Sequence, residues 1–140
     1  MKNYLSEPYR DLLVEPDPPL LWITLNRPEC SNAFSDGMIT ELCHLLREAD
    51  WDDDVRVVIL TGAGRTFCAG GDVKAMEEKT GMFAGDPEGL MRRYTKGIQQ
   101  IPLTIEALHT PLVAMVNGAA IGAGCDLACM CDIRLGCRRS

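Results

Sequence analysis

Asp126 is the single acid in the apolar segment Cys125 to Met130, and the residues just before it, Gly118-Ala119-Ala120-Ile121-Gly122-Ala123-Gly124, are nearly all small. Small residues let a backbone come close to another group and leave N–H donors exposed where a helix begins. Such a helix start carries a partial positive charge, suited to an oxygen that is negative or becoming so. A second turn of the same character, Phe67-Cys68-Ala69-Gly70-Gly71-Asp72, lies earlier in the chain. Ala69, ahead of two glycines, and Ala123, at or just inside the start of a predicted 122–131 helix, could each present a backbone N–H outward. Two convergent backbone donors stabilise a developing oxyanion. Asp126 follows Ala123 by three residues and shares its helix face, where a carboxylate can move a proton at a carbon beside the polarised carbonyl. Taken alone, Asp126 also reads as a first-turn acid that complements the helix dipole and is kept ionised by it.

Other chemistries fit the sequence less well. Gly62-Ala63-Gly64-Arg65-Thr66-Phe67 and Gly122-Ala123-Gly124-Cys125-Asp126-Leu127 both lack the third glycine of a dinucleotide-binding turn, and no Gly-Lys-Ser/Thr phosphate loop occurs. Cys125, Cys129, Cys131 and Cys137 lack the paired spacing of a zinc knuckle, so no metal is expected. Seven cysteines, an odd number in mostly apolar surroundings, fit reduced thiols in a cytoplasmic protein. A net charge of −6 argues against nucleic acid as a partner. No apolar run approaches the roughly 18 residues of a membrane helix, and the first seven residues lack the apolar core of a secretory signal. His44 and His109 read as surface or helix-end cations.

The elements that must position the two turns follow from periodicity. One hundred and forty residues, 46% hydrophobic and 24% charged, suffice for a single domain, taken as 1–140. A strand at Asp11 to Glu15 and another at Leu20 to Leu25 flank the stiff turn Pro16-Asp17-Pro18-Pro19 and suggest a hairpin. Ser35-Asp36 offers an N-cap for a helix to about Asp50, with Met38, Ile39, Leu42, Leu45, Leu46 and Ala49 on one face. Val55 to Leu60 reads as a strand buried on both faces. Residues 74–88 suggest a mobile loop or short helical turns, and Pro87 to Leu108 one long helix kinked at Pro102. A buried strand at Leu112 to Val116 leads into the small-residue turn. Ile133-Arg134-Leu135 starts another strand with no partner after it, which suggests that more sequence once followed. The alternation predicts an α/β fold.

Phe67-Cys68-Ala69-Gly70-Gly71-Asp72-Val73-Lys74 resembles the first signature of the enoyl-CoA hydratase/isomerase, or crotonase, family. Asn117 to Leu127, continued by Cys131-Asp132-Ile133-Arg134, resembles the second, and Asn26-Arg27-Pro28-Glu29 with Asn32-Ala33-Phe34 resembles the family's early coenzyme loop. The resemblance implies a spiral of ββα units, assembled as a homotrimer or homohexamer. It also implies an acyl-CoA substrate, with no separate cofactor, whose thioester enolate is held by backbone N–H groups at Ala69 and Ala123. By the same resemblance, Arg27, Ala33, Ala69, Gly70, Gly71, Asp72, Val73, Lys74, Gly122 and Ala123 would line the coenzyme and substrate path, with Arg27 and Lys74 near phosphates. Asp126 stands where hydratases carry glutamate and where dienoyl-CoA isomerase-like members carry aspartate. The second hydratase glutamate lies beyond the next strand, past residue 140. The chain thus resembles the N-terminal core of a crotonase domain, cut short at the C-terminus. It is expected to hydrate a 2-enoyl-CoA or shift its double bond. The alternative is a fragment that binds acyl-CoA or self-associates without catalysis.

Overall fold

The computed structural model describes residues 2–138. Met1 and the last two residues of the terminal stretch, Arg139 and Ser140, lie outside the described residues. Strands β1 (Leu12–Asp17) and β2 (Leu20–Leu25) form the expected antiparallel hairpin, with Leu12 opposite Leu25. Along β2 the residues Leu21, Ile23 and Leu25 are fully buried while those between are half-buried, the period of two that places one face on a core. β3 (Val57–Gly62), β5 (Leu112–Val116) and β7 (Ile133–Gly136) continue the sheet in parallel, in the order β1-β2-β3-β5-β7.

Helix α1 (Asp36–Asp50) supplies a larger share of the core than any other element, burying the six predicted residues and Cys43 as well. Ser35 caps it by accepting a hydrogen bond from the Met38 N–H at 2.9 Å, worth about 1 kcal/mol. Outside the buried face, Glu41 accepts from the Arg10 and Asp11 N–H groups, both at 2.9 Å, and ties the entry of β1 to α1.

At the other end of α1, Asp50 accepts from the N–H groups of His109 at 2.8 Å and Thr110 at 2.7 Å, which fixes the approach to β5. Burial pushes the Asp50 carboxyl up, but the hydrogen bonds from Thr110 and His109 outweigh it, and its pKa lies below the usual aspartate value. A pKa lowered by folding contributes stability that is present above the unfolded value and lost as pH falls through the folded one. Asp50→Asn is therefore expected to flatten the loss of stability below about pH 4, read from urea midpoints in an acid series. An unchanged acid limb would show that the carboxylate is not coupled to folding.

Two expectations are corrected, and one left open between two readings is resolved. The long helix is two helices, α3 (Pro87–Lys96) and α4 (Gln100–Glu106), and the break falls at Gly97 rather than Pro102. Gly97 adopts φ −109 and ψ −108, outside helical space, while Pro102 lies in the first turn of α4, where a missing N–H costs nothing. Of the two readings of residues 74–88, short helical turns is the one found: α2 (Val73–Glu78) is capped by Asp72, and Met82 and Phe83 of a short 3-10 turn are buried. Finally, β7 does have a partner, pairing in parallel with β5 from Val113–Ile133 to Val116–Gly136, and its four residues are all exposed. No helix among the described residues is long and apolar enough to cross a membrane.

Candidate active site

The topology brings the two small-residue turns together. β3 and β5 are parallel neighbours, and at their carboxyl ends the chain makes two excursions. After β3 it forms β4 (Thr66–Cys68), and after β5 it forms β6 (Ala119–Ala120). These pair in parallel, Thr66 with Ala119 and Cys68 with Ala120, as a separate two-stranded sheet. The turn after β4 therefore meets the start of α5 (Ala123–Met130). Carboxyl ends of parallel strands are where open α/β sheets place ligands.

Two asparagines hold this corner. Asn117 spans β3 and β5: its Nδ2 donates to the Gly62 carbonyl at 2.8 Å and its Oδ1 accepts from the Gly62 N–H at 3.1 Å. Asn32, fully buried, donates through Nδ2 to the carbonyls of Ala63 at 2.9 Å and Thr66 at 2.8 Å and accepts from the Arg27 N–H at 2.9 Å. Asn32→Ala strands these groups away from water, and φ of +55 at this position also favours asparagine over alanine. The substitution is expected to cost about 3 kcal/mol, measured as a shift of the urea unfolding curve; a loss near zero would mean that water replaces the side chain.

Gly70 and Gly124 allow the close approach. Gly70 has φ +82, and a Cβ there would stand 2.5 Å from the Ile121 carbonyl oxygen and 2.9 Å from the Ala123 nitrogen. A Cβ on Gly124 would stand 2.1 Å from the Cys68 carbonyl oxygen. The Cys68 thiol is pushed up to about 11 by burial and donates to the Asn32 carbonyl at 3.1 Å, so it packs and positions rather than reacts.

The backbone donors differ from expectation at one position. The Ala69 N–H donates to the Ser31 carbonyl at 3.0 Å and is spent inside the protein. Ser31 and Asn32 adopt the left-handed conformation, φ +54 and +55, and so bend the early loop back against the turn. The Gly70 N–H meets the Cys68 sulfur at 3.4 Å. Gly71 is the first residue of this turn whose N–H has no protein acceptor among the described residues. Ala123 opens α5, so its N–H has no intrahelical acceptor, and none is supplied from elsewhere among the described residues. Gly71 and Ala123 therefore keep N–H groups without acceptors among the described residues, whereas Ala69 does not.

Beside Ala123 a cleft of about 160 Å³ opens between Phe34, the Ile98 to Pro102 segment and α5. Asp126 lines it with Ala123, Leu127 and Met130, and is the only ionisable side chain of that lining. A larger groove of about 470 Å³ runs between α1 and the segment at Lys96 and Gln100, away from both turns.

Of the remaining predicted residues, several serve the scaffold. The Arg27 guanidinium donates to the Ala33 carbonyl at 2.5 Å and lies 3.9 Å from Asp11 and 3.8 Å from Asp72, so it is an internal tie rather than a free phosphate ligand. Ala33 is buried, and Asp72 caps α2 by accepting from the Ala75 N–H at 3.0 Å. Val73 and Lys74 are exposed on α2, with Lys74 3.9 Å from Glu78. Gly122 is exposed with φ +54. Asn32, Asn117 and Gly71 as a donor are what sequence reasoning missed; Asn117, directly after the predicted strand Leu112 to Val116, offered a signal, whereas Asn32, in the loop past Leu25, offered none.

Against known proteins, the enoyl-CoA hydratase/isomerase family model matches residues 18–140. The chain belongs to the enoyl-CoA hydratase/isomerase family. A probable enoyl-CoA hydratase of Mycobacterium tuberculosis is 38% identical over 128 residues, covering 91% of this chain and 47% of that protein. The crystal structure of an enoyl-CoA hydratase from Bacillus anthracis superposes with a TM-score of 0.79 at 31% identity, covering 94% of this chain and 49% of that one. That of a monofunctional enoyl-CoA isomerase from M. smegmatis gives 0.72 at 35% identity, covering 93% and 51%. The chain thus has the crotonase fold and spans about half the length of the relatives it matches.

Proposed function

We propose that this chain acts on an acyl-CoA thioester through its enolate, shifting the double bond of an enoyl-CoA or hydrating it. In this reading the Gly71 and Ala123 N–H groups receive the thioester oxygen, and Asp126 removes the proton from the adjacent carbon. The observation that carries it is the pair of amides left without acceptors where the turn at Gly70 packs on the start of α5. Each such donor is worth about 2.7–4 kcal/mol of barrier. Family membership supports the substrate class, since the relatives above are named for enoyl-CoA chemistry.

Asp126 alone suffices for isomerisation, because one carboxylate can take a proton from one carbon and return it two carbons away. Hydration also asks for a positioned water, and no second carboxylate lines the cleft among the described residues. Isomerisation is therefore the simpler chemistry for these residues.

The test is binding of a 3-ketoacyl-CoA, whose enolate mimics the intermediate, followed by amide resonances. The Gly71 and Ala123 amide protons are expected to show the largest downfield shifts, with Ala69 little changed. Largest shifts at Ala69, or away from both turns, would end the proposal.

A further inference from the structure

Cys125 and Cys129 stand one helical turn apart on α5, and both are exposed. Residues four apart on a helix hold their Cβ atoms about 5–6 Å from each other on one face. Repulsion from a Cys129 thiolate first, and a hydrogen bond with Cys129 second, raise the pKa of Cys125, with smaller contributions from burial and Asp126. Cys43, Cys68 and Cys131 are buried. The Cys131 thiol donates to the Leu127 carbonyl at 3.3 Å, and burial pushes it up to about 12.

Geometry decides what two such thiols can hold. A direct disulfide needs Cβ atoms about 3.5–4.5 Å apart, roughly 1–2 Å less than an intact helix provides. Forming one would unwind the first turns of α5, which the Asp126 N–H anchors on the Gly122 carbonyl at 3.0 Å. A structural zinc asks for four ligands, and no group of three or more ligating side chains converges among the described residues. What fits is an atom that bridges two sulfurs and fills its remaining valence with its own substituent. Trivalent arsenic bearing one organic group meets that description.

We infer that Cys125 and Cys129 form a two-thiol site for monosubstituted trivalent arsenicals on the exposed face of α5. Two S–H bonds and the arsenic–oxygen bonds of an arsine oxide break, and two As–S bonds form. Both thiol protons leave with the oxygen as one water, and arsenic stays trivalent, so no oxidant is needed. Asp126 adjoins Cys125 and precedes Cys129 by three residues, so the occupant lies next to the carboxylate given the role of base. The site does not depend on that role.

Phenylarsine oxide titrated into the full chain, followed by intact mass and thiol counting, tests it. One arsenical should add per chain with loss of one water, both thiols should become unreactive, and a 1,2-dithiol but not a monothiol should reverse it. Cys125→Ala and Cys129→Ala should each weaken binding by roughly 10²-fold or more, because the second bond is no longer intramolecular. Alanine is the stronger helix former, so α5 should persist, checked by circular dichroism. Cys137→Ala should leave affinity unchanged. Tight binding that survives Cys125→Ala, or that disappears in Cys137→Ala, would overturn the assignment.

Discussion

Asp126→Asn is expected to slow solvent-deuterium incorporation at the carbon beside the thioester of a 3-enoyl-CoA by about 10²- to 10⁴-fold, the usual worth of a positioned general base. Exchange is the right assay for this chain because it needs only a base and a stabilised enolate, whereas net hydration needs water activation too. Among the described residues the side chain finds no hydrogen-bond or ion-pair partner; it lines the cleft and shares a helix face with the Ala123 N–H. Substrate binding should change little, since a base acts on the transition state and not the ground state. Asp126→Glu keeps the carboxylate one methylene further out and should recover part of the rate, which a merely structural acid would not require. If Asp126→Asn exchanges at the parent rate, the helix start stabilises charge without this side chain and another base must be found.

The strands and α1 were legible because their signals are local and redundant. Leu20 to Leu25 is rich in β-formers and bounded by Pro18-Pro19 and Asn26-Arg27-Pro28, and α1 combines a Ser35 cap with an unbroken 3.6-residue rhythm. The helix break was not, because Leu90, Tyr94, Ile98, Ile101 and Ile105 keep that rhythm across the true boundary at Gly97, and periodicity alone cannot distinguish one long helix from two. The pairing of β4 with β6 was also beyond reach, since Ala119–Ala120 is too short and too plain to carry a strand signal. The donor identity failed for a related reason. Whether Ala69 or Gly71 offers its N–H depends on where Ser31 aims a carbonyl, a contact between segments far apart in the chain. Small residues marked the turns correctly, but which amide is left over is a property of the assembled corner.

That corner can be opened by one methyl group. Gly70→Ala would place a Cβ 2.5 Å from the Ile121 carbonyl oxygen and 2.9 Å from the Ala123 nitrogen, both backbone atoms that cannot swing aside. It would also hold alanine at φ +82, a strain of about 1–3 kcal/mol. The relief available is to separate the turn at 69–71 from the start of α5, and that separation is the quantity the two-amide arrangement depends on. Exchange is expected to fall by about 10²- to 10³-fold, as when one oxyanion donor is lost, with a smaller drop in the urea midpoint than Asn32→Ala produces. The comparison separates the two roles of the corner. Asn32→Ala weakens the whole fold and should lower exchange only as the folded fraction falls, whereas Gly70→Ala should lower it in molecules that remain folded. Equal losses per folded molecule in the two variants would mean that the turns serve packing alone. In that case the unpaired amides of Gly71 and Ala123 would be a by-product of tight glycine contacts rather than the means of holding an enolate.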